Sequence, residues 1–112
     1  MAQSLGYIVV SGYDETKQIQ ISGIYYFKSI GKLITVYYSG GAFEFYSTLP
    51  KLEAQLADRG FIRAGRSCLV SMNAIRQIGD KKILLSNGTE IRIGRCEARS
   101  IKAAADDWRR AT

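Results

Sequence analysis

Residues 61–75 read FIRAGRSCLVSMNAI. Two short runs rich in apolar residues, at 61–63 and 67–70, flank a loop of small residues around Arg66. Aromatic and β-branched residues favour strands, and glycine favours a turn between them. The stretch therefore predicts two short strands, joined by a loop that presents one arginine.

Strand patterns continue on both sides of this stretch. Residues 24–46 alternate between β-rich runs and turns at Gly31-Lys32 and Gly40-Gly41, which predicts a three-stranded meander. Residues 19–22 alternate with period two, and Asn87-Gly88 is the strongest hairpin signal in the chain. We expect about nine strands in a single, mainly β domain over residues 1–112.

Two helices interrupt the strand pattern. Thr48 is a suitable N-cap for the first helix, and Gly60 is expected to end it. The second is expected from about Glu97 onward. Each has an apolar face at helical spacing, formed by Leu49, Leu52 and Leu56 in the first and by Ala98, Ile101, Ala105 and Trp108 in the second.

Composition excludes several function classes. The 112 residues include two cysteines and no histidine, so no Ser-His-Asp arrangement and no imidazole metal ligand can form. Cys68 and Cys96 are too few for a structural zinc site. We therefore predict no enzyme activity, no cofactor and no small-molecule substrate. No run approaches the ~20 apolar residues of a transmembrane helix, and no signal peptide is visible, so the expected location is the cytoplasm.

The positive charge is concentrated in one part of the chain. The formal net charge is +6, and residues 59–102 hold ten basic residues against three acidic ones. Seven of the ten are arginines, which suit planar contacts to phosphate or guanine. This region favours a polyanionic partner, and nucleic acid in particular.

Five ordered motifs resemble the LytTR DNA-binding domain over residues 19–105. They are Ile-x-Tyr-Phe-x-Ser at 24–29 before a Gly-Lys turn, a Leu-x-x-Leu helix at 49–56, Phe-x-Arg and Arg-Ser within 61–67, Asn-Gly at 87–88, and Ile-Arg-Ile-Gly-Arg at 91–95. The resemblance implies an elongated sandwich of small antiparallel sheets with two short helices. It also implies a transcriptional regulator whose loops enter successive major grooves of double-stranded DNA, commonly at paired direct repeats.

The resemblance maps three DNA-contacting loop positions onto Lys32, Arg66 and Arg95. Arg95 also lies between Gly94 and the expected start of the last helix, and a cation there opposes the helix dipole, which favours a role towards a ligand. Three further residues are expected to contact phosphates, namely Arg63, Ser67 and Arg99. The chain begins too close to the motif-bearing part to hold a receiver or sensor, so we expect a stand-alone regulator. One compact domain on a single half-site would bind weakly, so we expect two copies on paired sites. The regulator could be restrained by an inhibitory partner protein, which is membrane-bound in one known arrangement of the family.

Two alternatives remain open at this stage. The family usually has His, Asn and Ser where this chain has Gly65, Ser71 and Gly94. These departures leave open a protein-interaction module or antagonist that has kept the fold and lost sequence-specific DNA binding, whereas Arg66, Arg95 and the basic region argue against it. A binder of single strands or RNA is the other alternative, and it requires the many tyrosines to be exposed for base stacking.

Overall fold

A computed structural model describes residues 6–111, and within them the chain forms ten strands and two α-helices. The first half contains β1 (Tyr7–Ser11), β2 (Thr16–Gln20), β3 (Ile24–Ile30), β4 (Leu33–Tyr38), β5 (Gly41–Tyr46) and α1 (Leu49–Gln55). The second half contains β6 (Phe61–Ala64), β7 (Cys68–Ser71), β8 (Ile75–Ile78), β9 (Lys82–Leu85), β10 (Glu90–Arg92) and α2 (Arg95–Ala111).

The strands form three small antiparallel sheets. The central sheet has the order β5-β4-β3-β7-β6, a second sheet has the order β10-β9-β8, and β1 and β2 form a separate hairpin. The predicted meander over residues 24–46 is confirmed as β3-β4-β5. The mainly β fold class predicted from the sequence is also confirmed.

Each face of the central sheet is covered by a different hydrophobic core. One core joins Phe27, Val36 and Leu69 to α1 and to the β1-β2 hairpin. The other joins Val70 to Ile83 of the second sheet and Ile101 of α2. Fully burying one large apolar side chain stabilises the fold by about 1.5–3 kcal/mol. The central sheet is therefore the middle layer that fixes every other element.

Helix α1 begins as predicted but ends early. The Thr48 hydroxyl accepts a hydrogen bond from the backbone N–H of Lys51 at 3.4 Å, and the apolar face is buried. The helix ends at Gln55, five residues before Gly60, because Leu56 leaves the helical conformation at φ −106° and ψ 19°, and Asp58 then adopts a left-handed φ of 64°. Gly60, at φ 83°, turns the chain into β6. A Cβ there would lie 2.6 Å from the indole ring of Trp108.

Helix α2 is longer than the sequence pattern predicts. It begins at Arg95 instead of about Glu97, and its 17 residues correct the expectation of two short helices. Ala98, Ile101 and Ala105 are buried, and the Trp108 indole donates a hydrogen bond to Asn73 Oδ1 at 2.9 Å. Neither of the two helices between residues 6 and 111 has the length and apolarity needed to span a membrane.

Three smaller predictions also need correction. The strand expected at 19–22 occupies Thr16–Gln20, because Ile21–Gly23 form a short 3-10 helix. The expected turn at Gly40-Gly41 lies one residue earlier, since Gly41 already pairs with Tyr38. The last strand, which the alternating pattern predicts over residues 89–93, is restricted to Glu90–Arg92.

Candidate nucleic-acid interface

The loop of residues 65–67 joins β6 to β7 and is fixed at both ends. Gly65 has a left-handed φ of 67°, and its backbone N–H donates to Glu97 Oε2 at 2.7 Å. The Ser67 carbonyl accepts a hydrogen bond from the backbone N–H of Ser29 at 2.7 Å. Between these anchors Arg66 is exposed, and it has no ion-pair partner among residues 6–111. A rigid loop therefore presents an unpaired guanidinium to solvent.

The start of α2 lies against this loop. Glu97 also accepts a hydrogen bond from the Gly94 backbone N–H, through Oε1 at 3.3 Å. One carboxylate thus bonds the backbone of the Arg66 loop and the residue just before Arg95. Arg95 is exposed and, like Arg66, forms no ion pair within the described part of the chain. The two arginine-bearing segments therefore lie side by side.

The β3-β4 turn reaches the same end of the central sheet. Lys28 of β3 is directly opposite Cys68 of β7, so the chain beyond Lys28 runs alongside the 65–67 loop. The turn at Gly31-Lys32 begins three residues after Lys28, and Lys32 is exposed. The structure therefore places all three loops predicted to contact DNA at one end of the molecule.

The other predicted residues are divided between two surfaces. Ser67 lies in the Arg66 loop, and Arg99 lies one turn of α2 beyond Arg95. Arg63 is separate, because it is paired with Leu69 on the face of the sheet that packs against α1. Its Nη1 donates to Glu53 Oε1 at 2.8 Å, and its Nε is buried without a partner among the described residues. Arg63 is thus not brought together with Arg66.

A continuous basic surface surrounds Arg66 and Arg95, and it is called the basic face below. Three neighbouring clefts, of about 220, 430 and 540 Å³, contain its side chains. Its eight cations are Lys28, Arg66, Lys81, Lys82, Arg92, Arg95, Arg99 and Lys102. Its acidic residues are Asp80, Glu90 and Glu97. Only Lys82 is engaged in an ion pair, with Glu90 at 3.1 Å, among the residues that the structure describes.

Sequence reasoning missed several members of this face. Lys81, Arg92 and Lys102 were counted in the basic region but not singled out as contacts. Lys28 was not part of that region at all. The available signal was the charge count over residues 59–102, and the sheet pairing that joins Lys28 to this surface is not visible in the sequence.

Four aromatic side chains, Tyr26, Phe27, Phe43 and Phe45, are buried in the core, whereas Tyr13 is 97% exposed. Tyr26 is 8% exposed and stacks on Tyr37 with ring centroids 4.6 Å apart. Burial raises the pKa of the Tyr26 hydroxyl, and neighbouring Tyr37 raises it further. Phe43 and Phe45 are also buried, whereas Tyr46 is 72% exposed. These buried rings do not form the stacking platform that a single-strand or RNA binder would need.

The two cysteines occupy different environments. Burial raises the pKa of the Cys68 thiol, and a hydrogen bond from Ser67 and the charge of Lys28 partly oppose that shift. Cys96 is exposed on α2. Among residues 6–111, no group of three His, Cys, Asp or Glu side chains is arranged to hold a metal ion.

Comparison with known proteins agrees with this geometry. The sequence matches the LytTr DNA-binding domain family over residues 14–106. The chain belongs to the LytTR family. A solved LytTr DNA-binding domain from Bacillus cereus superimposes with a TM-score of 0.76 at 19% identity, covering 90% of this chain and 97% of that one. A search of curated proteins finds no match.

Membership of the LytTR family establishes the general role of the chain. It is a DNA-binding domain, and DNA is its partner. The family acts in transcription regulation and is not an enzyme family.

Proposed function

We propose that this LytTR domain reads a specific sequence of double-stranded DNA through Arg66 and Arg95, which enter the major groove. One observation carries the proposal. Both arginines are exposed, have no ion-pair partner within residues 6–111, and are held side by side by hydrogen bonds to one carboxylate. Arginine can bond guanine O6 and N7 together, and such a contact discriminates between bases by about 1–3 kcal/mol.

The loop around Arg66 is suited to a close approach to DNA. Gly65 and Ser67 have small or no side chains, so the backbone can enter a groove without steric obstruction. Glycine is also favoured at position 65 because a Cβ there would lie close to the Arg92 carbonyl oxygen, at 3.3 Å. Lys32 is proposed to reach the DNA from the neighbouring β3-β4 turn.

The remaining cations of the basic face are proposed to contact phosphates. Arg99 and Lys102 continue from Arg95 along α2, and they line the same cleft of about 430 Å³. Phosphate contacts fix the position of a protein on the duplex without reading its sequence. Ser67 is proposed to donate to a phosphate as well. Arg63 contributes least, because its guanidinium is already bonded to Glu53.

The wider biological role is proposed on the same basis. A single domain of this size offers two base-reading arginines, so we propose that two copies act together on paired direct repeats. The domain would then regulate transcription in the cytoplasm. An inhibitory partner protein, membrane-bound or not, remains a prediction from the family resemblance.

Selection from random duplex DNA tests this function directly. We expect an enriched motif for the unmodified protein, and loss of that motif in Arg66→Ala and Arg95→Ala. Arg110→Ala is the matched control, since Arg110 is paired with Asp107 on α2 outside the basic face. Salt-sensitive binding without any enriched motif would contradict sequence-specific reading.

One observation favours a second candidate function, a protein-interaction module. Ile30, Leu33 and Tyr46 form a row across the central sheet, and Ile30 and Tyr46 are 71% and 72% exposed. An exposed apolar row of this kind is suited to a protein partner. If the protein bound no duplex DNA even at low salt, this candidate would replace the first.

A further inference from the structure

We propose that Glu97 is a positioning residue that sets DNA specificity, by fixing the distance between the Arg66 loop and Arg95. This inference rests on the proposed function, since it assumes that both arginines read bases. Glu97 itself is not assigned any contact with DNA. Its role would be exerted through the backbones of Gly65 and Gly94.

The hydrogen bonds of Glu97 are divided between two segments. Oε1 bonds the Gly94 N–H at the start of its own helix, as a glutamate in the third helical position commonly does. Oε2 bonds the N–H of Gly65, which is 32 residues away in sequence, at the shorter distance of 2.7 Å. A helix-capping interaction has thus been extended into a link between two loops.

The link constrains Arg66 and Arg95 as a pair. Gly65 and Gly94 directly precede the two arginines, so the bonded N–H groups lie at the base of each reading side chain. Base readout requires the functional groups to be held within about 0.5 Å of the productive geometry. Without the carboxylate, each loop could still present its arginine, but the spacing between them would no longer be fixed.

The negative charge of Glu97 also affects DNA binding, and this effect is opposite in sign to that of its hydrogen bonds. Its carboxylate is one of three on the basic face, and a negative charge near phosphates weakens binding to any DNA. Removing the charge should therefore strengthen non-specific binding. Removing the link should weaken specific binding. A residue with only a structural role would not show this pair of opposite changes.

Three variants separate the charge from the link. Asp80→Asn removes one negative charge from the basic face and leaves the link intact, because Asp80 lines the α2 cleft and has no hydrogen bond to either loop. Glu97→Asp keeps the charge, but its side chain is one methylene too short to bond both loops. Glu97→Gln removes the charge and replaces one acceptor oxygen by a donor group, which faces a backbone N–H.

The measurement is the affinity for the selected duplex divided by the affinity for random duplex, at fixed salt. We expect Asp80→Asn to leave this ratio within about twofold of the unmodified protein while strengthening binding to both duplexes. Glu97→Asp and Glu97→Gln should each lower the ratio roughly tenfold, the order of one lost arginine–guanine contact. Amide hydrogen exchange at Gly65 should be faster in both Glu97 variants and unchanged in Asp80→Asn.

The possible results distinguish the two proposals. If both Glu97 variants gave the same ratio of specific to random affinity as Asp80→Asn, the proposed role of Glu97 would be overturned. The proposed function would still stand. An unmodified protein with a ratio near one would overturn the proposed function, and the specificity role of Glu97 with it. Thermal unfolding of each variant confirms that the DNA measurements are made on folded protein.

Discussion

Removing Arg99 and Lys102 together should make DNA binding less sensitive to salt. Of the eight cations of the basic face, Arg66 and Arg95 are proposed to read bases, and Lys82 already forms an ion pair. Five cations therefore remain for contacts with phosphates. If each contacts one phosphate of a half-site, log K should fall with log salt at a slope of about −4.5. Affinity would then drop about 500-fold between 50 and 200 mM salt.

The double variant Arg99→Ala/Lys102→Ala leaves three such contacts, so the expected slope is about −2.7. The drop over the same salt range then becomes about 40-fold. Because phosphate contacts carry no sequence information, specific and random duplexes should be affected equally. Fluorescence anisotropy on a single labelled half-site, at four or more salt concentrations, measures the slope.

Arg110→Ala is the control for this experiment, since it removes a cation from the same helix that is already paired with Asp107. Its slope should equal that of the unmodified protein. An unchanged slope in the double variant would refute the assignment of α2 to the DNA backbone. So would a loss confined to the specific duplex, because it would make these side chains base readers.

Three further predictions concern the folded domain. A thiol reagent at neutral pH should modify exposed Cys96 at least about tenfold faster than buried Cys68. Peptide mass spectrometry measures the two rates, and equal rates would contradict the burial of Cys68. Because the pKa of Tyr26 is raised on folding, the unfolded state loses this proton first, so the free energy of unfolding should fall as pH rises past about 10. Tyr26→Phe should make this fall shallower in denaturant titrations, and an identical fall would contradict the assignment. Gly60→Ala should destabilise the domain by about 1–3 kcal/mol, because alanine there would need a left-handed φ and would clash with an indole ring. Gly31→Ala should destabilise it less, because the added Cβ meets nothing within 4 Å.

Elements whose pattern is local could be predicted closely from the sequence. The meander over residues 24–46 and its turn at Gly31-Lys32 appear in the structure at the expected positions. The start of α2 was misplaced, because Gly94 has no side chain to serve as the usual N-cap signal. The predicted end of α1 is wrong because the backbone leaves the helical conformation at Leu56, before Gly60, and Leu56 carries no helix-stop signal in the sequence.

The candidate site could be predicted only in part. Small neighbours and family motifs mark the loops of Arg66 and Arg95 in the sequence, and the role of the two arginines in base reading stays a prediction. Arg63 was grouped with them by its position in the same motif. Side chains alternate along β6, so the Arg63 side chain lies instead on the face of the central sheet that packs against α1, where it is bonded to Glu53. A position in a motif does not specify a face, and one residue of register reverses the direction of a side chain.

The contact between Glu97 and Gly65 shows a different limit. In the sequence, Glu97 is only an acidic residue in the first turn of a helix, where it offsets the unfavourable charge of Arg95. Its bond to Gly65 exists because the sheets bring the β6-β7 loop against the end of β10. The same carboxylate therefore caps a helix and joins the two loops that we propose to read DNA. A substitution that loosens the helix start should change the spacing of the arginines as well, so we expect stability and specificity in this domain to be coupled through one side chain.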